Sequence, residues 1–431
     1  MLTIFSPHTS PRLQYIVAVL FKESAVLTDD LQTYLASDTA CINYSVQSVG
    51  KGLQMIPASL LFETNVQEQD ITISYWQELP VFFSGNGELP FDFFSASFYL
   101  LSRYEEYLTH EKDRYGRYDH RNSLAYRYGF LDIPLIDCWM QAFEKVVRGM
   151  YTAYRLPQRQ FVFQPTYDID VAYRFRYASP FQYIKGCFID LATGRFNRFA
   201  ERNAVYKGKQ KDSYDVYNWL DQLHRQHTLT PCYFFLVAEK QKGYDQNVNP
   251  FTRAMQTLIE THAKKYKIGI HPSLQSNGNM YCLEREIKLL AYYADQSIGC
   301  SRQHYLKMQL PETYEDLINA GIQEDHSMGY GSVNGFRAST CNPFDWYNLR
   351  KEQHTSLKIV PFCYMDSTAI FHEQLSTEMA LQRMHYFLDT VRNVNGVFSY
   401  VMHNHFLAEH NEWMMWRNMY TEFLKTIQTA S

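Results

Sequence analysis

The sequence has no Cys-x-x-Cys pair. Its eight cysteines, Cys41, Cys138, Cys187, Cys232, Cys282, Cys300, Cys341 and Cys363, stand far apart, which excludes zinc-finger and thioredoxin-like readings. Several lie in apolar runs, as free buried thiols do in a reducing compartment. No stretch approaches the ~20 apolar residues of a membrane span, so no stable membrane insertion is expected. Met1 to Glu23 lacks the architecture of a secretory leader: the apolar run Tyr15 to Phe21 is short and no small-residue cleavage site follows it. Neither charge sign dominates. The net charge of −4 provides no global field for nucleic acid or an anionic membrane. These absences predict a soluble cytoplasmic protein with no nucleic-acid partner, and they leave its oligomeric state open. What is present is bulk: 431 residues, 46% of them hydrophobic, enough for two or three domains with a large core. The 34 Tyr and 29 Phe suit sugar-ring stacking and equally suit ordinary cores.

The most informative stretch is Phe161-Val162-Phe163-Gln164-Pro165-Thr166-Tyr167-Asp168-Ile169-Asp170. An apolar, β-prone run ends there in two carboxylates one residue apart. Such runs read as buried strands, which puts Asp168 and Asp170 at a C-terminal strand tip. In α/β barrels and open α/β sheets that edge carries the chemistry. Two neighbouring carboxylates repel, so a cation or a shared proton is needed to hold both. A strand-end turn, where Asp is common, is the plainer alternative.

Residues 1–156 read as a smaller α+β domain. Ile71 to Trp76 alternates like a strand. Asp92 can cap a helix running to Leu108, with Glu105 and Glu106 on a solvated face, and a second helix spans Ile136 to Tyr151. Asp113 to Asp119 is a polar turn. The segment Leu156 to Gln160 is a plausible joint. Over 157–431 strands and helices alternate, which predicts parallel strands with right-handed crossovers and a closed or nearly closed (β/α) barrel. Asp212-Ser213 can cap a helix with Val216, Trp219 and Leu223 on one face. Lys185 to Asp212 is an insertion rich in Lys and Arg, either a solvated loop or a lid that handles an anionic substrate.

Successive predicted strands end in chemically capable residues: Asp168 and Asp170, His271, Arg302 and His304, Asp366, then His403. A parallel barrel gathers such ends into one pocket. Folding alone gives no reason for that coincidence.

The ordered set resembles the polysaccharide deacetylase family, the metal-dependent carbohydrate esterases with the nodulation-type deacetylase fold, over roughly residues 160–431. Thr166-Tyr167-Asp168-Ile169-Asp170 is similar to its first motif, Thr-Phe-Asp-Asp, with one residue inserted. Pro231 to Phe235 resembles the strand that follows. Ile268-Gly269-Ile270-His271-Pro272-Ser273 resembles the second motif, His-Ser/Thr-x-x-His, with Gln275 at the second His position. Arg302-Gln303-His304-Tyr305 resembles Arg-x-Pro-Tyr, with His304 in place of Pro. Asp325 to Tyr330, followed by Gly335 to Ala338, resembles a segment of divergent sugar-polymer deacetylases. Asp366 stands at the fourth motif without its Trp, and Tyr400 to Asn404 resembles the fifth. Residues 1–156 resemble the uncharacterised domain that precedes such deacetylases in some bacterial proteins.

The resemblance implies a distorted (β/α) barrel and hydrolysis of an N-acetylated saccharide with a divalent metal, Zn2+ or another ion. It implies Asp168 as base, His403 as acid, Arg302 as partner of Asp168 with Arg337 as a substitute, and Asp366 orienting His403. It gives Asp170 and His271 as metal ligands. His304, Ser273 or water can complete the set, and His304 can equally bind substrate or pack. His405 competes with His403 as acid. The substrate expected is a cell-envelope saccharide or its precursor, phosphate-linked if the basic insertion takes part. The alternative is a degenerate, non-catalytic glycan-binding or scaffold protein, motivated by the missing second-motif His.

Overall fold

A computed structural model describes residues 1–240, 242–410 and 412–428. Near the N-terminus, β1 (Leu2–Phe5), β2 (Ala25–Thr28), β3 (Ala40–Tyr44) and β4 (Leu53–Met55) form a parallel sheet in the order β2-β1-β3-β4. The apolar run Tyr15 to Phe21 belongs to the helix Pro11–Phe21, which Ser10 caps by accepting from the Leu13 amide. Only the end of the expected strand at Ile71 forms: β5 (Ser74–Trp76) pairs antiparallel with β6 (Leu79–Val81). Asp92 does cap a helix, Phe93–Leu101, but it stops well before Leu108. Arg103 takes a left-handed conformation, φ 55°, and turns the chain. Glu105 and Glu106 therefore point inward and are buried; neither lies on a solvated face. The second helix runs from Leu135 to Met150.

Residues 154–161 have no regular structure. Beyond them lie β7 (Val162–Ile169), β8 (Cys232–Phe235), β9 (Lys267–Ile270), β10 (Cys300–Ser301), β11 (Glu324–Asp325), β12 (Phe344–Asn348), β13 (Gln353–Ile359), β14 (Tyr364–Met365) and β15 (Val397–His403). Their order is β12-β13-β11-β10-β9-β8-β7-β15-β14, parallel except for the antiparallel β12–β13 pair. The sheet shows no closure among the described residues, where a closed or nearly closed barrel is expected. One edge is the two-residue β14 and the other is an antiparallel strand, so no ladder joins them among the described residues. Crossover helices, among them Tyr217–His227, Arg253–Ala263, Met280–Ala294 and Thr377–Asn393, bury apolar stripes against it. Asp212 caps no helix. Its carboxylate accepts instead from the amides of Arg174, Phe175 and Arg176, pinning the chain that leaves β7.

One apolar core runs without a break from Leu2 to Leu424. The first 150 residues also meet the large sheet through buried polar contacts. Arg12 pairs with Glu352, Arg337 pairs with Glu106 at 2.6 Å, and Asp137 accepts from Thr340 at 2.7 Å. No helix among the described residues is long and apolar enough to cross a membrane.

Candidate functional site

Register brings the site together. In β7 alternate side chains take opposite faces, so Tyr167 and Ile169 pack in the core while Thr166 and Asp168 share the other face. Asp168 lies directly across from His403 of β15. On its other side β7 pairs with β8, β8 with β9, and Ile270 at the end of β9 is in register with Ser301 of β10. His271 and Arg302 therefore emerge at the same edge as Asp168, as parallel strands require.

The arrangement is buried and closely spaced. Arg302 donates from Nη1 to Asp168 Oδ1 at 2.8 Å and to Thr166 Oγ1 at 2.8 Å, and from Nε to the His326 carbonyl at 2.9 Å. Its guanidinium lies 4.4 Å from the centre of the Phe234 ring. Asp170 has His271 Nε2 at 3.1 Å, His403 Nε2 at 3.5 Å and His304 Nε2 at 3.8 Å. Burial disfavours its charge, but His304, His403 and His271 outweigh that and hold its carboxyl well below the usual range. Oδ1 of Asp170 is nevertheless buried without a hydrogen-bond partner. An orphaned carboxylate oxygen in a buried site calls for a missing cation or water.

The tautomers favour a cation. His271 Nδ1 donates to the Arg302 carbonyl at 2.5 Å, and His304 Nδ1 donates to Asp245 Oδ1 at 3.0 Å. Each bond leaves an Nε2 lone pair aimed toward Asp170. Imidazoles that ligate metals are held in this way. Ligand atoms of Asp170, His271 and His304 all lie within 4.8 Å of one another. Tetrahedral ligands at ~2.1 Å from zinc would be roughly 3.4 Å apart, so one carboxylate and two imidazoles suit a divalent ion.

His403 is held differently. Its Nδ1 lies 2.6 Å from Asp366 Oδ1, and its amide donates to Asp366 Oδ2 at 2.6 Å. Burial opposes the imidazolium, yet Asp366, Asp170 and Asp168 raise its pKa to about 10. His405 has no carboxylate partner of this kind. Its Nδ1 is buried without a hydrogen bond, and burial beside His403 lowers its pKa to about 3.

Two expected positions are elsewhere. Arg337 does not reach Asp168; its Nε and Nη2 fork onto Glu106 at 2.9 and 2.6 Å. Ser273 donates its amide to Glu286, away from Asp170. Gln275, at the missing His position, donates from Nε2 to Asp245 Oδ2 at 3.0 Å, and so braces the carboxylate that holds His304.

Asp168, Asp170, His271, His304 and His403 line a cavity of about 400 Å³. Sequence reasoning missed part of its wall. Tyr115 and Arg117 reach it from the polar turn, with Arg117 Nη1 donating to the Tyr305 carbonyl at 2.7 Å. The rings of Tyr115 and Tyr244 lie 5.2 and 4.9 Å from that of Tyr305. The central Gly116 marks a turn but gives no hint of its destination. Asp245 stands in a loop after β8, where no pattern flags it.

Comparison with known proteins adds distant likenesses. Residues 2–152 match a family model described as a family of unknown function (DUF7033). No curated protein matches the chain. Among solved structures, it resembles a probable polysaccharide deacetylase from Pseudomonas aeruginosa PAO1 at 10% identity and a TM-score of 0.39, over 64% of this chain and 90% of that one. It also resembles a polysaccharide deacetylase from Bacillus cereus at 10% identity and a TM-score of 0.31, over 63% of this chain and 89% of the other. A third is a mutant of a CE4 family pseudoenzyme with restored enzymatic activity, at 7% identity and a TM-score of 0.27, over 62% and 64% of the two chains. Superpositions this loose carry no functional weight, and the strand-tip geometry has to carry it alone.

Proposed function

We propose that the protein is a metal-dependent hydrolase that removes N-acetyl groups from a cell-envelope saccharide or its precursor. The observation that carries this reading is the convergence of Asp170, His271 Nε2 and His304 Nε2 beside two separately braced groups, Asp168 with Arg302 and His403 with Asp366. Asp170, His271 and His304 would hold the ion, zinc by the donor set. Bound there, a divalent ion polarises an acetyl carbonyl and acidifies water. Asp168 takes the water's proton, with Arg302 as its counter-ion. His403, charged against Asp366, delivers a proton to the departing amine. Tyr115, Tyr244 and Tyr305 offer ring faces for a sugar. The basic insertion suits a precursor that carries phosphate, and the eight unpaired cysteines suit the bacterial cytoplasm.

The test is acetate release from N-acetylated saccharides with added divalent metal. Asp168→Asn should keep the metal, since Asp170, His271 and His304 remain, and lose on the order of 10²-fold or more in turnover. His403→Ala should do the same. A wild type that binds saccharide but releases no acetate with any metal, its affinity untouched by Asp168→Asn, would replace the hydrolase with the glycan-binding alternative.

A further inference from the structure

The insertion after β7 is not a solvated loop. It folds as a helical hairpin, Pro180–Ala192 followed by Phe196–Tyr206. The first helix has a full capping box at Ser179 and Gln182, so its start is well defined. Its polarity is inverted. A surface helix normally turns its apolar stripe to the core and its charges to water. Here a carboxylate faces in. Asp190 is buried between the two helices, 2.7 Å from Arg202 Nε and 3.4 Å from Arg198 Nε. Arg202 lies so close to Gly186 that a Cβ there would come within 2.4 Å of its guanidinium carbon. Tyr183 stacks on Tyr206 at 3.9 Å in the same seam.

The apolar residues face out. Phe181, Ile184, Phe188 and Leu191 follow spacings of three, four and three, which is one stripe of a helix. Phe181 is 75% exposed, Ile184 65% and Phe188 74%. Phe196, at the head of the second helix, is exposed as well. A contiguous exposed patch of this kind marks an interaction surface.

Charge decides what it meets. Residues 180–211 hold seven Lys and Arg against two acids, in a chain of net charge −4. The two acids, Asp190 and Glu201, are already paired, with Arg202 and Arg174. Lys185, Arg195, Lys207, Lys209 and Lys211 remain exposed on the hairpin and the residues that follow it. A second copy of this chain would set those cations against their own kind, which disfavours a dimer through this face. An anionic bilayer supplies both missing partners, acyl chains for the stripe and phosphates for the rim.

We propose that the hairpin 180–206 docks on the surface of an anionic lipid bilayer, with Phe181, Ile184, Phe188 and Leu191 lying in the headgroup–acyl boundary. The hairpin binds in the plane of the interface and crosses nothing. It leaves the fold ten residues beyond Asp170, and the ring of Tyr214, just past it, lies 5.7 Å from that of His405 at the cavity wall, tilted by 41°. Docking therefore holds the strand-tip edge close to the membrane. The proposal needs no turnover, so it stands or falls apart from the hydrolase reading.

Flotation of the full chain with vesicles tests it. Vesicles of phosphatidylcholine with roughly one-third phosphatidylglycerol should carry the protein up, pure phosphatidylcholine should carry much less, and raised salt should weaken binding severalfold. Phe181→Asp with Phe188→Asp should cut the bound fraction about tenfold or more while leaving the melting temperature unchanged, because these rings support no core. Lys207→Glu with Lys209→Glu, on the rim, should also reduce binding and serves as a second variant independent of the apolar stripe. Absence of wild-type binding to anionic vesicles, or binding that neither variant weakens, overturns the proposal. So does a wild type that fails to float and sediments as a dimer dissolved by the Phe variants, since the patch would then be a self-association surface.

Discussion

Two clusters of buried charge, one around Glu106 and one around Asp170, are finished to different degrees. In the first, Glu106 Oε1 accepts from Arg103 Nε at 2.7 Å and from Arg337 Nε at 2.9 Å, and Oε2 accepts from Arg337 Nη2 at 2.6 Å. Glu105 accepts from Arg103 Nη2 and from the Leu124 amide, both at 2.8 Å. Every carboxylate oxygen there has a donor. In the second, Asp170 Oδ1 has none, although three imidazole Nε2 atoms face its carboxylate. Burying charge is costly unless the lone pairs are filled. The closed cluster is a joint between the first 150 residues and the large sheet. The open one is where the proposed ion would sit.

The sharpest way to break this contrast is to unpair the closed cluster. Arg337→Met removes a forked partner and leaves Glu106 buried beside Arg103 alone. Removing one member of a buried pair costs about 3–5 kcal/mol. Chemical denaturation should show that loss, with Glu106→Gln/Arg337→Met recovering part of it. A single variant with wild-type stability would mean that the pair does not tie the two regions together.

Acid should act on the closed cluster in a definite direction. Burial pushes the Glu106 carboxyl up, but Arg337 and Arg103 outweigh it and hold the pKa at about 2, below the ordinary 4.5. A folded-state pKa that is depressed contributes stability above the unfolded value and loses it as pH falls through the folded one. The contribution, on the order of 3 kcal/mol, should therefore disappear between about pH 4.5 and pH 2. Glu105 works against it: burial raises its pKa, so its protonation restores some stability as pH falls. Unfolding free energies of wild type and Glu106→Gln, measured across that window, should converge toward low pH. Parallel curves would remove the ion pair as the cause.

The open cluster was largely legible in the sequence, and the closed one was not. Asp168, His271, Arg302, Asp366 and His403 each end an apolar run, and parallel register does the rest. Glu105 and Glu106 read as a solvated pair because their partner Arg337 lies 231 residues from Glu106. The turn at Arg103 that points them inward has no glycine to announce it. Sheet closure is not legible for a similar reason: alternating strands and helices predict parallel pairing, but edge strands as short as β14 are set by tertiary packing. His304 was visible as a candidate ligand. Its brace, Asp245, sits in a loop and is defined only by the fold.

Asp245 yields the smallest and most discriminating effect. It accepts the Nδ1 proton of His304 at 3.0 Å and is held by the Leu274 amide at 2.8 Å and the Gln275 side chain at 3.0 Å. Burial opposes its charge, and the His304 and Leu274 bonds outweigh burial to lower its pKa. An ionised partner makes the other imidazole nitrogen a stronger donor to a metal. His271 leans on a backbone carbonyl instead, so its contribution should not change when Asp245 does. Asp245→Asn keeps a hydrogen-bond acceptor of the same shape but removes the charge. Zinc affinity, read by competition with a chelator, should fall about 10-fold and not more than about 100-fold. The same change made on top of His304→Ala should cost almost nothing further, because Asp245 would have no ligand left to support. A cycle in which Asp245→Asn weakens zinc equally with and without His304 would show that Asp245 acts on the fold at large, and the open cluster would then rest on Asp170 and His271 alone.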